Sequence, residues 1–160
     1  MADTSPSMWA TLLPVVVGGV IGLAGGWIGP WLLERRKEAV EKRKRRAEKF
    51  EELVSALYEH KHWLDMLERH WVYGFEEKLT VTPFGKVVAI SRVYFPKFDV
   101  QILELEKAAI EYEKWMYAAA DARVNCKPSI DGLLEIYAPY AQRFRVLIDE
   151  LGTFAQGEFK

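Results

Sequence analysis

One cysteine, Cys126, stands among 160 residues. That excludes an intramolecular disulfide and any zinc site built from several cysteines. An excess of either charge is also lacking, since 22 Lys and Arg face 23 Asp and Glu. Such a balance argues against a basic nucleic-acid binder, and residues 50–160 carry 13 basic against 18 acidic side chains. No Gly-x-Ser-x-Gly, P-loop or dinucleotide fingerprint occurs, so no reaction can be read from a motif. Half of the residues are apolar, which excludes a disordered chain.

The most informative lack is local. From Met8 to Leu33, 26 positions, no residue is charged. As a helix this run reaches about 39 Å, enough to cross a hydrocarbon core about 30 Å thick with some tilt. Trp9 and Trp31 lie 22 residues apart, roughly 33 Å along a helix, as an aromatic belt at each interface requires. Pro14 and Pro30 stand near the ends, where a helix tolerates them best. A secretory signal peptide fits poorly, because the charge before the run is only Asp3 and the run is too long. The positive charge follows instead. Arg35, Arg36, Lys37, Lys42, Arg43, Lys44, Arg45, Arg46 and Lys49 are opposed by four glutamates. The positive-inside rule then predicts an N-terminus outside and a cytoplasmic remainder, in a bacterial inner membrane. The basic residues Arg35 to Arg46 are expected to set topology and to touch anionic lipid headgroups.

Six of the 11 glycines fall within the uncharged run. At about 100° per residue, Gly18, Gly19, Gly22, Gly25, Gly26 and Gly29 project within an arc of about 120°. Val16, Val20, Leu23, Ala24, Trp27 and Trp31 fall opposite. Gly18, Gly22 and Gly26 repeat the small-xxx-small pattern, which lets helix backbones approach closely in lipid. This predicts a packing face for other transmembrane helices, either copies of this chain or members of a larger membrane complex. Only Thr11 is polar enough to face a lumen, so a pore is not expected.

Residues 34–49 hold no Gly or Pro and are rich in Glu, Lys, Arg and Ala, so the helix is expected to continue through them. Phe50, Leu57, Leu64 and Trp71 then step by sevens, with Leu53, His60 and Leu67 as a second row and Val54 and Tyr58 beside them. Such heptads belong to a short coiled coil or to the first helix of a bundle; the wide stripe and the long following chain favour the bundle, with Gly74 as the expected end. Thr82 and Pro83 read as N-cap and first helical residue. Residues 83–95 mix strand-like branching with helical length, and a short helix stopped by Pro96 is the preferred reading. Lys97 to Val124 is amphipathic, with Ile102, Leu105, Ala109, Tyr112, Met116 and Ala119 on one face. Asn125 to Pro128 forms a loop with Ser129 as a possible cap. Ile130 to Phe154 repeats the pattern through Leu133, Tyr137, Tyr140, Phe144, Leu147, Leu151 and Phe154, and Pro139 should kink or divide it.

The expected fold class is therefore all-α. An extracytoplasmic tail (1–7) precedes a single transmembrane helix (8–33), a basic juxtamembrane helix (34–49) and a cytoplasmic helical bundle (50–160). His60, His62 and His70 share one helix, but His60 and His62 point to different faces and make no metal pair. Glu59-x-x-His62 matches one element of a di-iron site, without the second copy such a site needs. His60 lies on the apolar stripe and reads as a hydrogen-bonded core residue. Cys126, beside Lys127, reads as an ordinary thiol. Trp63, Trp71, Trp115, Tyr94, Phe95 and Phe98 read as core packing, or else as a patch for a partner. No cofactor is expected. The leading functional expectation is a non-enzymatic assembly or accessory subunit with membrane lipids and other transmembrane helices as partners. The alternatives are a self-assembling membrane effector whose bundle senses a ligand, and a membrane-tethered enzyme or metal protein.

Overall fold

The computed structural model describes the backbone of residues 8–125 and 131–159, and the side chains of residues 33–125 and 131–159. It is all-helical, with no strand among the described residues. Four α-helices follow in order: α1 (Met8–Trp71), α2 (Phe84–Tyr94), α3 (Asp99–Val124) and α4 (Leu133–Glu158). A 3-10 turn, Pro96–Phe98, joins α2 to α3. The chain divides into two compact units, Met1–Arg45 and Arg46–Lys160.

The first unit contains the uncharged run and most of the basic stretch. The six glycines, Trp9, Trp31 and the N-terminal tail lie outside the residues whose side chains are described. Among the described residues, no helix is long and apolar enough to cross a membrane.

The second unit is the helical bundle, and heptad spacing explains how α1 enters it. Phe50, Leu53, Leu57, His60, Leu64 and Leu67 are all buried, and Trp71 is half-buried. Ala56 joins this stripe, whereas Tyr58 stays half exposed and only sets its ring edge against Phe144 of α4. Each buried Leu contributes about 1.5–3 kcal/mol of apolar transfer. Gly74 turns the chain out of α1 in the left-handed region, at φ 78°, and the Phe75 N–H donates to the Arg69 carbonyl at 3.0 Å. A Cβ at Gly74 would displace only the mobile guanidinium end of Arg123 of α3, so the left-handed backbone is what requires glycine here.

Residues 84–94 are helix and not strand, because Phe84, Val87 and Ile90 are buried at spacings of three. The expected cap shifts by one residue. Pro83 occupies the N-cap place, and Thr82 Oγ1 accepts the Phe84 N–H from outside the helix at 3.3 Å. Pro96 does stop α2, but its own residues form the 3-10 turn, so α3 starts at Asp99 and not at Lys97. All six residues of the expected α3 face are buried. Helix α4 starts at Leu133, after Gly132 at φ 78°, and runs past Phe154 to Glu158. Cys126 to Ile130, with the expected loop and cap, lie outside the described residues. Pro139 does not divide α4. Pro139 is exposed, as are Glu135 and Ala138, so on that outer side of the helix the Glu135 carbonyl that loses its donor can be hydrated. Helix α3 packs along α4 and, near its own start, against α2.

Candidate functional site

Three features of the second unit hold chemistry beyond apolar packing. The first is a polar layer within the core. His60 is only 1 % exposed, and burial drives its pKa from 6.5 down to about 4, so the ring is neutral at pH 7. Its Nδ1 lies 3.4 Å from Thr82 Oγ1, and its Nε2 is buried without a partner. The ring stacks beside Trp63 and meets Phe84 and Tyr140 edge-on. Tyr140 of α4 is equally buried, and its Oη has no partner either. Burial holds its hydroxyl in the protonated form, with the Asp65 carboxylate as a further cause. Tyr112 of α3 stacks beside Tyr140 and donates its hydroxyl to Glu68 of α1 at 2.7 Å. Burial raises the Tyr112 pKa too, and the bond to Glu68 adds to the shift.

The expected hydrogen-bonded core histidine is therefore His60. His62 is exposed, and His70 holds the Phe75 carbonyl through Nδ1 at 3.0 Å. Glu59 is exposed and accepts a bond from Ser55. Among the described residues, no three His, Cys, Asp or Glu side chains converge as a metal site. Phe95 and Phe98 are buried, and Trp63, Trp71, Trp115 and Tyr94 pack half-buried against the core.

The second feature closes one end of the bundle. Phe50, Phe95, Phe98, Phe154 and Phe159 touch ring to ring. Two cations cover them. The Arg46 guanidinium sits 5.8 Å from the Phe95 ring centre and 5.9 Å from that of Phe154, while Lys97 Nζ is 3.3 Å from that of Phe154. Arg46 also pairs with Glu158 at 2.6 Å. Arg35, Arg36, Lys37, Lys42, Arg43, Lys44 and Arg45 are exposed. Arg46 is exposed as well, but its head group is used within the bundle.

The third feature is a furrow between α3 and α4. Its middle holds about 600 Å³. Val100, Pro139, Val146 and Leu147 supply apolar walls, and an ion pair between Arg143 and Glu104 at 3.5 Å spans the two helices. Gln101 donates to Glu150 at 3.0 Å, and its Oε1 is buried without a partner. The furrow extends past Lys97 and Phe154 at one end and past Lys107 and Glu135 at the other. Apolar walls, the amides of Gln101 and Gln142 and an ion pair thus share one lining. Nothing in the periodicity marks this furrow, because its width depends on how far α3 and α4 stand apart. No protein-family model matches the chain, and neither a curated protein nor a solved structure matches it.

Proposed function

We propose that the protein is a non-enzymatic, single-pass inner-membrane protein that acts as an assembly or accessory subunit. Its glycine-faced helix packs against other transmembrane helices, and its cytoplasmic bundle binds a partner. The observation that carries this reading is the uncharged run Met8 to Leu33 with its six glycines in one arc, followed at once by nine basic residues. The run belongs to the same helix as the basic stretch and the first bundle helix. A partner-binding role draws support from the α3–α4 furrow, whose amphipathic lining fits a helix or an extended segment.

Replacement of Gly22 by Leu puts a bulky side chain on the face where backbones must meet. The expected result is a broken complex with unchanged insertion. It is read by native mass spectrometry of the full chain extracted in mild detergent, beside carbonate extraction of the membranes. A Gly22→Leu protein that keeps its complex removes the glycine face from the proposal. A wild-type chain washed off by carbonate removes the membrane span itself.

A further inference from the structure

Helix α3 carries a second apolar row that its own bundle covers only in part. Leu103, Ile110, Tyr117 and Val124 step by sevens along it, and their exposures are 47 %, 43 %, 48 % and 76 %. The buried stripe of α3 holds Leu105, Ala109, Tyr112 and Met116, so the row looks another way. Tyr117 sets its ring edge against Trp71 and still remains half exposed. Scattered apolar residues on a surface need no explanation, but four in register along one helix form a seam.

The charges beside the seam say what fits it. Lys107 and Lys114 project about 50° to one side of the row, and Glu106 and Glu113 about 50° to the other. Both lysines are exposed and both glutamates are half-buried. Burial raises the Glu113 carboxyl above its ordinary value. Lys114 so far holds only Glu111 of its own helix, at 2.7 Å.

We infer that this seam pairs with the same seam of a second copy, with the two α3 helices parallel and in register. Two-fold symmetry along the helix axis brings the acidic flank of each copy against the basic flank of the other. Glu106 then faces Lys107 and Glu113 faces Lys114 across the dimer, each pair occurring twice. An antiparallel pair that keeps the whole row in contact, Ile110 against Tyr117, brings like flanks together instead; Glu113 then meets Glu113 and Lys114 meets Lys114, which repel, and only Lys107 against Asp121 attracts. Charge therefore selects the parallel sense, and the apolar row supplies the contact. The pairing rests on α3 alone and does not depend on the membrane reading.

Cross-linking of the full chain tests it, with Cys126→Ser as background and the protein kept in mild detergent. In a parallel, in-register pair the two copies of residue 110 lie within disulfide reach, about 6 Å between Cα atoms. Ile110→Cys is expected to cross-link to itself under a mild oxidant, and Val146→Cys on α4 is not. Adding Glu113→Lys should lower the dimerisation constant about tenfold, and Lys114→Glu on top should restore it. A monomer, or a Val146→Cys cross-link as strong as that at 110, overturns the proposal. So does cross-linking between Ile110→Cys and Tyr117→Cys chains without a 110–110 product, which is the antiparallel pair. A double charge swap that fails to rescue also overturns it.

Discussion

His60 shows how one side chain couples this fold to pH. In the folded chain its pKa is about 4, against 6.5 for the unfolded ring. The unfolded state therefore binds the proton more readily between those values. Stability from this residue is complete above pH 6.5 and falls as the pH drops toward 4, by up to about 3 kcal/mol. Urea unfolding at several pH values checks this. The difference between the wild type and His60→Phe should change across that window and stay level above it. Two tyrosines in the same layer make an opposed pair. Tyr112 Oη donates to Glu68, so Tyr112→Phe should cost about 1 kcal/mol. Tyr140 Oη is buried without a partner, so Tyr140→Phe should cost nothing or stabilise by up to about 1 kcal/mol. The urea midpoints of the two variants should move in different directions, or only the first should move. A clear loss for Tyr140→Phe means that its hydroxyl is bonded in solution.

At the scale of elements, helix period accounts for most of what formed. The α1 stripe from Phe50 to Leu67 and the α3 stripe from Ile102 to Ala119 are both interior, because one face of each recurs every three or four residues. Helix ends were less legible. Pro96 and Gly132 moved the starts of α3 and α4 by two or three residues, since a 3-10 turn and a left-handed glycine both took up chain before the helix. Pro139 leaves α4 undivided, since the rule that proline ends a helix holds where the freed carbonyl has nowhere to go. On the exposed side of the helix it can meet water. Pro139→Ala restores the donor and removes the ring, so α4 should gain about 1–2 kcal/mol after the loss of proline's unfolded-state rigidity. Thermal unfolding followed by circular dichroism reads this as a higher Tm. Because Pro139 also lines the furrow, a partner that docks there should bind this variant differently.

For the whole molecule, the two proposed association surfaces would obey different physics. The proposed glycine face would act by close backbone approach in lipid, where apolar area gives no drive between helices. The α3 seam lies in the second unit, where burial of Leu103, Ile110 and their neighbours would drive the proposed pairing. Gly22→Leu should therefore weaken assembly without touching the charge-swap rescue at Glu113 and Lys114. Loss of both effects in one variant would mean a single coupled interface.

The sequence alone determined the helical class, the positions of the helices and their interior stripes. These depend on periodicity, and periodicity is local. It also supplied the uncharged run and the glycine arc on which the functional reading rests. Only the tertiary structure decided that Arg46 meets Glu158 across 112 residues, and that His60 Nε2 and Tyr140 Oη lack partners. It also decided that α3 and α4 leave a furrow, and that the second apolar row of α3 stays open. Each of these depends on which helix stands beside which, and at what distance, and no single helix carries that information in its own pattern.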